Sequence, residues 1–144
     1  MRFMVQVRAT PESEAGAMPD PEIIEAMGAF NEELIKGGHM LAGEGLMDSS
    51  KGARLTWKGG KVMVMDGPFA ETKELIAGFW LVDFPSKQAV VEFFKNCPAP
   101  MGDGEGTLEI RQVFESADFE GIASPELLAK EDAFRREHGQ AGRA

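Results

Sequence analysis

The chain begins with a strict alternation of apolar and polar side chains, which predicts a β-strand over Arg2–Arg8. Phe3, Val5 and Val7 would share one face of this strand, and the more polar side chains would share the other. Residues 11–19 combine two prolines with small and polar side chains, so we expect a loop there. The opening pattern therefore predicts a sheet with one strongly apolar face.

A helical period replaces the alternation after residue 20. Four apolar positions recur at spacings of three or four residues: Ile23, Met27, Phe30 and Leu34. Asp20 as N-cap and Pro21 at the first helical position predict where the helix begins. Gly37-Gly38 predicts where it ends, because glycine adopts the backbone conformation that terminates helices.

Five further strands and two further helices complete the predicted order. They are a strand at 40–47, a hairpin of strands 53–57 and 61–66, a strand at 75–84, a helix from Ser86, a strand at 107–114 and a terminal helix from Ser124 to about His138. Without the hairpin, the order β-α-β-β-α-β is that of a ferredoxin-like split βαβ fold. The predicted class is therefore α+β, with a domain at 1–120, an inserted hairpin and a helical tail at 121–144.

The strand at 75–84 is apolar on both faces. Phe79 and Leu81 would lie on one side and Trp80 and Val82 on the other. Two helices cover one face of such a sheet, whereas a strand that is apolar on both sides is usually buried on both. A symmetric dimer with sheets packed face to face would bury the second side, so we expect a homodimer.

Composition narrows the classes of partner. The 144 residues include 15 basic and 24 acidic side chains, for a formal charge of −9. Such a balance argues against binding nucleic acid or anionic membranes through general electrostatics. Apolar runs are too short to span a bilayer and no signal-peptide pattern is present, so we expect a cytoplasmic protein. A single cysteine, Cys97, and two histidines argue against a bound transition metal.

Several motifs resemble the DGPF branch of the YCII-related (YciI-like) family. They are Leu-Ala-Gly-Glu-Gly-Leu at 41–46, Asp-Gly-Pro-Phe-Ala-Glu-Thr-Lys-Glu at 66–74, Gly-Phe-Trp-Leu-Val at 78–82, Asn-Cys-Pro at 96–98 and Leu-Glu-Ile-Arg-Gln-Val-Phe at 108–114. The resemblance covers about residues 2–120, and the tail to about residue 136 is similar to that of longer members. It implies a dimeric α+β barrel of ferredoxin-like protomers.

The resemblance also implies two possible roles, one enzymatic and one regulatory. Some YCII-like proteins look like small-molecule lyases of the dehydrochlorinase and muconolactone-isomerase type, whereas members of the DGPF branch are often found beside extracytoplasmic-function sigma factors. Shorter members carry a His-Asp pair with the histidine in the first helix. The predicted first helix has no histidine here, and His39 follows it, so that pair does not transfer.

Two acidic residues are candidates for proton transfer. Asp66 ends an apolar strand and enters a Gly-Pro turn, which would hold its carboxylate at a defined position. The alternative is that Asp66 accepts backbone N–H groups within the turn. Glu44 lies between two glycines in an apolar strand and would be either a pocket acid or a surface charge at an edge strand.

Four residues are candidates for holding a substrate. Arg8 and Arg111 lie on the polar sides of two strands that would be neighbours, so they could bind a carboxylate or phosphate, or simply pair with glutamates. Glu74 adjoins the apolar strand at 75–84 and would bind a polar substrate, fix a dimer contact or belong to a solvated turn. Trp80 within that strand would either stack on a ligand or pack in the core or the dimer interface.

Three hypotheses about function follow, and the third is a structural dimer with only a vestigial pocket. The first is a homodimer that binds a small organic anion between its sheets and acts, without cofactor or metal, as an acid–base lyase or isomerase. The second is a regulatory or ligand-sensing module that binds a sigma factor and catalyses nothing. The sequence names neither a substrate nor a regulatory target.

Overall fold

The computed structural model describes residues 1–100 and 104–139. Within that part of the chain there are six strands: β1 (Arg2–Arg8), β2 (Met40–Gly45), β3 (Ala53–Lys58), β4 (Lys61–Asp66), β5 (Ile76–Asp83) and β6 (Leu108–Gln112). The α-helices are α1 (Pro11–Glu14), α2 (Pro21–Lys36), α3 (Lys87–Phe94) and α4 (Pro125–Glu137). No helix of the described residues is both long enough and apolar enough to cross a membrane.

Four strands form one antiparallel sheet in the order β2-β5-β1-β6. The two central strands are β5 and β1, and the chain reaches the outer strands through α2 and α3. This is the topology of a ferredoxin-like split βαβ domain. The predicted α+β class, the inserted hairpin and the helix after Ser124 are therefore confirmed.

The core lies between this sheet and the helices α2 and α3. Phe3, Val5 and Val7 of β1 are buried as the alternation predicts, and the helical stripe buries Phe30 and Leu34. From β5, Trp80 and Val82 enter the same core, while α3 contributes Val90 and Phe94. Aliphatic side chains pack here against a cluster of aromatic rings centred on Phe30.

The other side of the sheet, hereafter the open face, is not covered by α2 or α3, whose buried side chains pack on the core side. The strand register defines two rows of side chains that cross the open face, because directly paired residues of an antiparallel sheet have their side chains on the same face. The first row runs Glu44, Phe79, Gln6, Glu109, and the second runs Ala42, Leu81, Met4, Arg111. Phe79 and Leu81 are half-buried there, so β5 is apolar on both faces but fully buried on one.

One end of the open face is closed by charge pairs. Arg2 is 5% exposed, and its guanidinium contacts the Glu115 carboxylate at 3.0 Å and donates to the carbonyl of Phe114 at 3.1 Å. Asp83, directly opposite Arg2 in the sheet, accepts from the N-terminal amino group at 3.0 Å. Because a charge is buried only when it is paired, these contacts fix the segment after β6 against the sheet.

The hairpin β3–β4, hereafter the arm, forms a separate two-stranded sheet. Gly59 and Gly60 both have positive φ (59° and 75°), as a two-residue turn between hairpin strands requires. The pairs Leu55–Val64 and Trp57–Val62 place their side chains on one side, hereafter the apolar arm face. These side chains are all between 49% and 70% exposed, so this face has no cover within the protomer.

One expected loop contains a helix. Residues 11–19 were expected to be irregular because of their prolines, but α1 occupies Pro11–Glu14. Thr10 caps this helix by accepting from the Ser13 backbone N–H, and the Ser13 hydroxyl oxygen accepts from the Thr10 N–H in return. Pro11 stands at the first helical position, where its missing N–H costs nothing. The expectation was therefore wrong for this turn.

Candidate functional site

The open face combines an apolar centre with charged residues at its edges. Arg111 on β6 is exposed and contacts Glu109 of the same strand at 3.7 Å, a weak pairing that leaves most of its donors available. On the opposite outer strand, Glu44 is exposed, and no hydrogen bond or ion pair of the described residues engages its carboxylate. Phe79 and Leu81 lie between these two edges. The face therefore offers an apolar surface with a cation on one side and a free carboxylate on the other.

The two predicted arginines do not lie together. Arg111 is paired across the sheet with Met4, which is four residues and therefore about 13 Å of strand away from Arg8. A register shift after Val7 interrupts the pairing of β1 with β5, and the Arg8 guanidinium donates to the backbone carbonyl of Lys73. Arg8 therefore ties β1 to the segment before β5, and within the protomer it does not share an anion with Arg111.

Asp66 ends β4, paired with Ala53 at the base of the arm. Its side chain is exposed, and no hydrogen bond of the described residues reaches it. The following turn is held instead by the backbone bond from Gly67 N–H to the Gly52 carbonyl at 3.0 Å. The alternative in which Asp66 caps its own turn is therefore not what the structure shows, and Asp66 and Glu44 belong to different sheets.

The turn after Asp66 is anchored by a series of hydrogen bonds that the sequence did not predict. The Ser49 hydroxyl donates to the Glu14 carboxylate and accepts from the Phe69 backbone N–H at 2.9 Å. Glu14 also accepts from the Ser49 backbone N–H at 3.1 Å. The Thr10-Pro11 capping pattern was the signal that could have located α1, and with it Glu14. No pattern in the sequence identifies Ser49.

Glu74 lies on the other side of the same turn. Its carboxylate is 3.8 Å from the Arg54 guanidinium, which also stacks over the Phe69 ring at 4.0 Å from the centroid. Because Glu74 is exposed, this ion pair adds little to stability. Arg54 nevertheless links the base of the arm to the turn, so Glu74 acts there as a structural partner.

Two surface recesses lie away from the open face. One, of about 390 Å³, is lined by residues including Glu14, Asp48, Lys51 and Glu74. The other, of about 450 Å³, lies between α2 and α3. The first presents three carboxylates around one lysine, which disfavours an anion. Neither is lined by Glu44, Asp66 or Arg111, so a site on the open face needs a second surface to enclose it.

Trp80 belongs to the core. Its side chain is 6% exposed on the helix-covered side of β5, and its indole N–H donates to the Asn31 side-chain oxygen at 2.8 Å. The Phe30 and Phe94 rings meet it edge-on at 6.1 and 5.4 Å. A ligand on the open face cannot stack on it, so the substrate-binding assignment is corrected to the packing alternative.

His39 and Cys97 are both engaged in packing. The His39 ring stacks on Phe84 with centroids 3.9 Å apart, and its Nδ1 lies 2.8 Å from the Asp83 carbonyl oxygen. Burial raises the pKa of the Cys97 thiol to about 11, and its sulfur lies 3.9 Å from that of Met27. Neither side chain lies on the open face.

We expect Cys97 to alkylate slowly in the folded protein. Raising the pKa from 9.0 to about 11 lowers the thiolate fraction at pH 8 by about 100-fold. Reaction with iodoacetamide at pH 8 should therefore be slower by about that factor than reaction of the urea-unfolded chain. Equal rates in the two states would contradict the buried environment of this thiol.

The sheet order and the two helices packed on one side together define a ferredoxin-like α+β domain. The chain belongs to the YCII-related domain family, whose model matches residues 1–117. The resemblance noted in the sequence is confirmed at that level, while membership of the DGPF branch stays a prediction.

The chain is similar to two known proteins. An uncharacterised protein of Rhizobium meliloti (strain 1021) is 29% identical over 92 residues, which cover 64% of this chain and 73% of that protein. A 5-chloro-2-hydroxyhydroquinone dehydrochlorinase from Burkholderia phenoliruptrix AC1100, solved with 2,5-dihydroxybenzoquinone, aligns over 80% of this chain and 95% of its own. The sequence identity in that alignment is 16% and the TM-score is 0.43.

Proposed function

We propose that the protein binds a small organic anion with an apolar body on the open face, in a homodimer that encloses the ligand. The observation that carries the proposal is the second row of that face, where Arg111 stands beside the apolar Met4 and Leu81. An exposed arginine at the margin of an apolar surface suits a carboxylate attached to a ring or an alkyl chain.

Glu44 is the proton-transfer group of the proposed site. It occupies the edge of the neighbouring row, beside Phe79, and its carboxylate is exposed and unengaged within the described residues. A ligand anchored at Arg111 that lies diagonally over Phe79 and Leu81 would bring a carbon atom toward Glu44. Removing a proton from that carbon is the first step of an elimination or an isomerisation. The sigma-factor association and the cytoplasmic location stay predictions.

Benzoate is a suitable probe, because its ring matches the apolar centre and its carboxylate matches Arg111. We expect Arg111→Ala to weaken benzoate binding at least about 10-fold in isothermal titration calorimetry, since a charge-assisted contact is lost. The matched control is Arg136→Ala, which removes an exposed arginine from α4 and should leave the affinity unchanged. Equal weakening by both variants would show that net charge, and not the open face, governs binding.

Glu44→Gln separates binding from chemistry. The substitution keeps the size of the side chain and removes its capacity to accept a proton. Affinity for the anion should be retained, while turnover of any substrate identified for the protein should fall by at least about 100-fold. Unchanged turnover would assign the proton transfer to a different group, for which Asp66 is the next candidate.

A further inference from the structure

We propose that Gln6 determines which anions bind on the open face. The ligand carries a second oxygen group, a hydroxyl or a carbonyl, and the Gln6 carboxamide forms hydrogen bonds with it. This proposal rests on the proposed function, because it concerns the same site. It narrows the class of ligand from anions with an apolar body to anions whose apolar body bears an oxygen substituent.

Gln6 is the uncharged polar side chain at the centre of the open face. The other seven residues of the two rows are either apolar or charged. Gln6 lies on the central strand β1, is half-buried, and is paired directly with Phe79. A ligand that packs on Phe79 and Leu81 therefore also covers Gln6.

The Gln6 carboxamide is only weakly engaged by the protein. A carboxamide has two N–H donors and a carbonyl oxygen that accepts. Within residues 1–100 and 104–139, one N–H donates to the sulfur of Met4 at 3.5 Å, and no other hydrogen bond reaches the carboxamide. Because a thioether sulfur is a weak acceptor, this contact can be exchanged for a hydrogen bond to a ligand.

Covering this carboxamide sets a chemical requirement on the ligand. Gln6 is half-buried, so its free polar groups are open to solvent. A purely apolar ring on the open face would remove that solvent and leave the carboxamide without partners, which lowers affinity. A ring that bears a hydroxyl or carbonyl oxygen restores the hydrogen bonds. The site therefore favours the oxygenated ligand over the analogue that lacks the oxygen.

The position of Gln6 relative to Arg111 suits two groups of one small ligand. Arg111 is paired with Met4, and Gln6 is the next residue of β1 on the same face. Diagonal neighbours of this kind have Cβ atoms about 7–8 Å apart. Both side chains are long, so the guanidinium can hold a carboxylate while the carboxamide binds an oxygen on the same ring.

Ligand discrimination in isothermal titration calorimetry tests the role of Gln6. We expect the wild type to bind meta-hydroxybenzoate or para-hydroxybenzoate at least about 10-fold more tightly than benzoate. Gln6→Leu, with unchanged far-ultraviolet circular dichroism, should bind the three ligands with affinities within about twofold of one another, since leucine forms no hydrogen bond to the hydroxyl.

The matched control is Gln112→Leu. It makes the same chemical change in the same sheet but on the helix-covered side, because Gln112 is paired with the buried Phe3. This variant should keep the preference of the wild type for the hydroxylated ligand. A wild type without that preference, or a preference that Gln6→Leu retains, would overturn the proposal for Gln6.

Nuclear magnetic resonance gives a readout that does not depend on affinity. The side-chain amide signals of Gln6, assigned by their absence from Gln6→Leu, should shift more at saturation with the hydroxylated ligand than at saturation with benzoate. Equal shifts would contradict the hydrogen bond. Benzoate binding that depends on Arg111 but ignores the hydroxyl would leave the proposed function standing and reject the role of Gln6. Failure of all three ligands to bind would reject both.

Discussion

Phe30→Ala is expected to lower the free energy of unfolding by about 3–5 kcal/mol, the range for removing a large aromatic side chain from a packed core. Phe30 is 7% exposed on α2, and its ring meets Phe93 and Phe94 of the α3 region at 5.5 and 5.2 Å. It also meets Trp80 of β5 at 6.1 Å. One side chain thus joins both helices to the sheet, and no small movement fills the cavity that alanine leaves.

Urea unfolding followed by circular dichroism measures this loss. Ile35→Ala on the same helix is the control, because Ile35 is 62% exposed and its truncation should change stability by less than about 0.5 kcal/mol. If the two variants lost similar stability, α2 would not be packed as the structure has it.

Gly67→Ala is expected to cost about 1–3 kcal/mol of stability, as overpacking does, and to disturb the turn that follows Asp66. A Cβ atom on Gly67 would overlap the carbonyl oxygen of Ser49, which is backbone and has little freedom to withdraw. Ser49 is itself held by Glu14 and by the Phe69 N–H. The substitution therefore strains the contact that aligns the base of the arm.

Gly45→Ala is the matched control, because a Cβ atom there would meet nothing within 4 Å. Its unfolding midpoint should equal or slightly exceed that of the wild type, since alanine loses less conformational entropy than glycine in a strand. A Gly67→Ala protein as stable as this control would show that the Ser49 segment can move away.

Local patterns predict most of the fold. The alternation in β1 and the helical stripe of α2 each arise from one buried face, and a single buried face leaves a period in the sequence. The Gly59-Gly60 turn specifies the arm, because both residues take positive φ. The helix α1 was missed because its four residues leave no hydrophobic period, and only its cap marks it.

The candidate site depended on information that a single strand does not carry. Alternation separates Phe79 from Trp80, but both sides of β5 are apolar, so the pattern does not say which side lies under the helices. Register across three strands decides it and places Trp80 in the core. Similarly, the register shift between Val7 and Arg8 arises in the pairing of β1 with β5. The alternation of side chains within β1 does not predict it.

Native mass spectrometry of the gently purified, untagged protein tests the central claim most directly. The account predicts a species of twice the chain mass that retains a small organic acid or, after benzoate is added, benzoate itself. The same dimer of Arg111→Ala should lose that mass and remain a dimer. A monomer, or a dimer that stays empty in the presence of benzoate, would contradict the account.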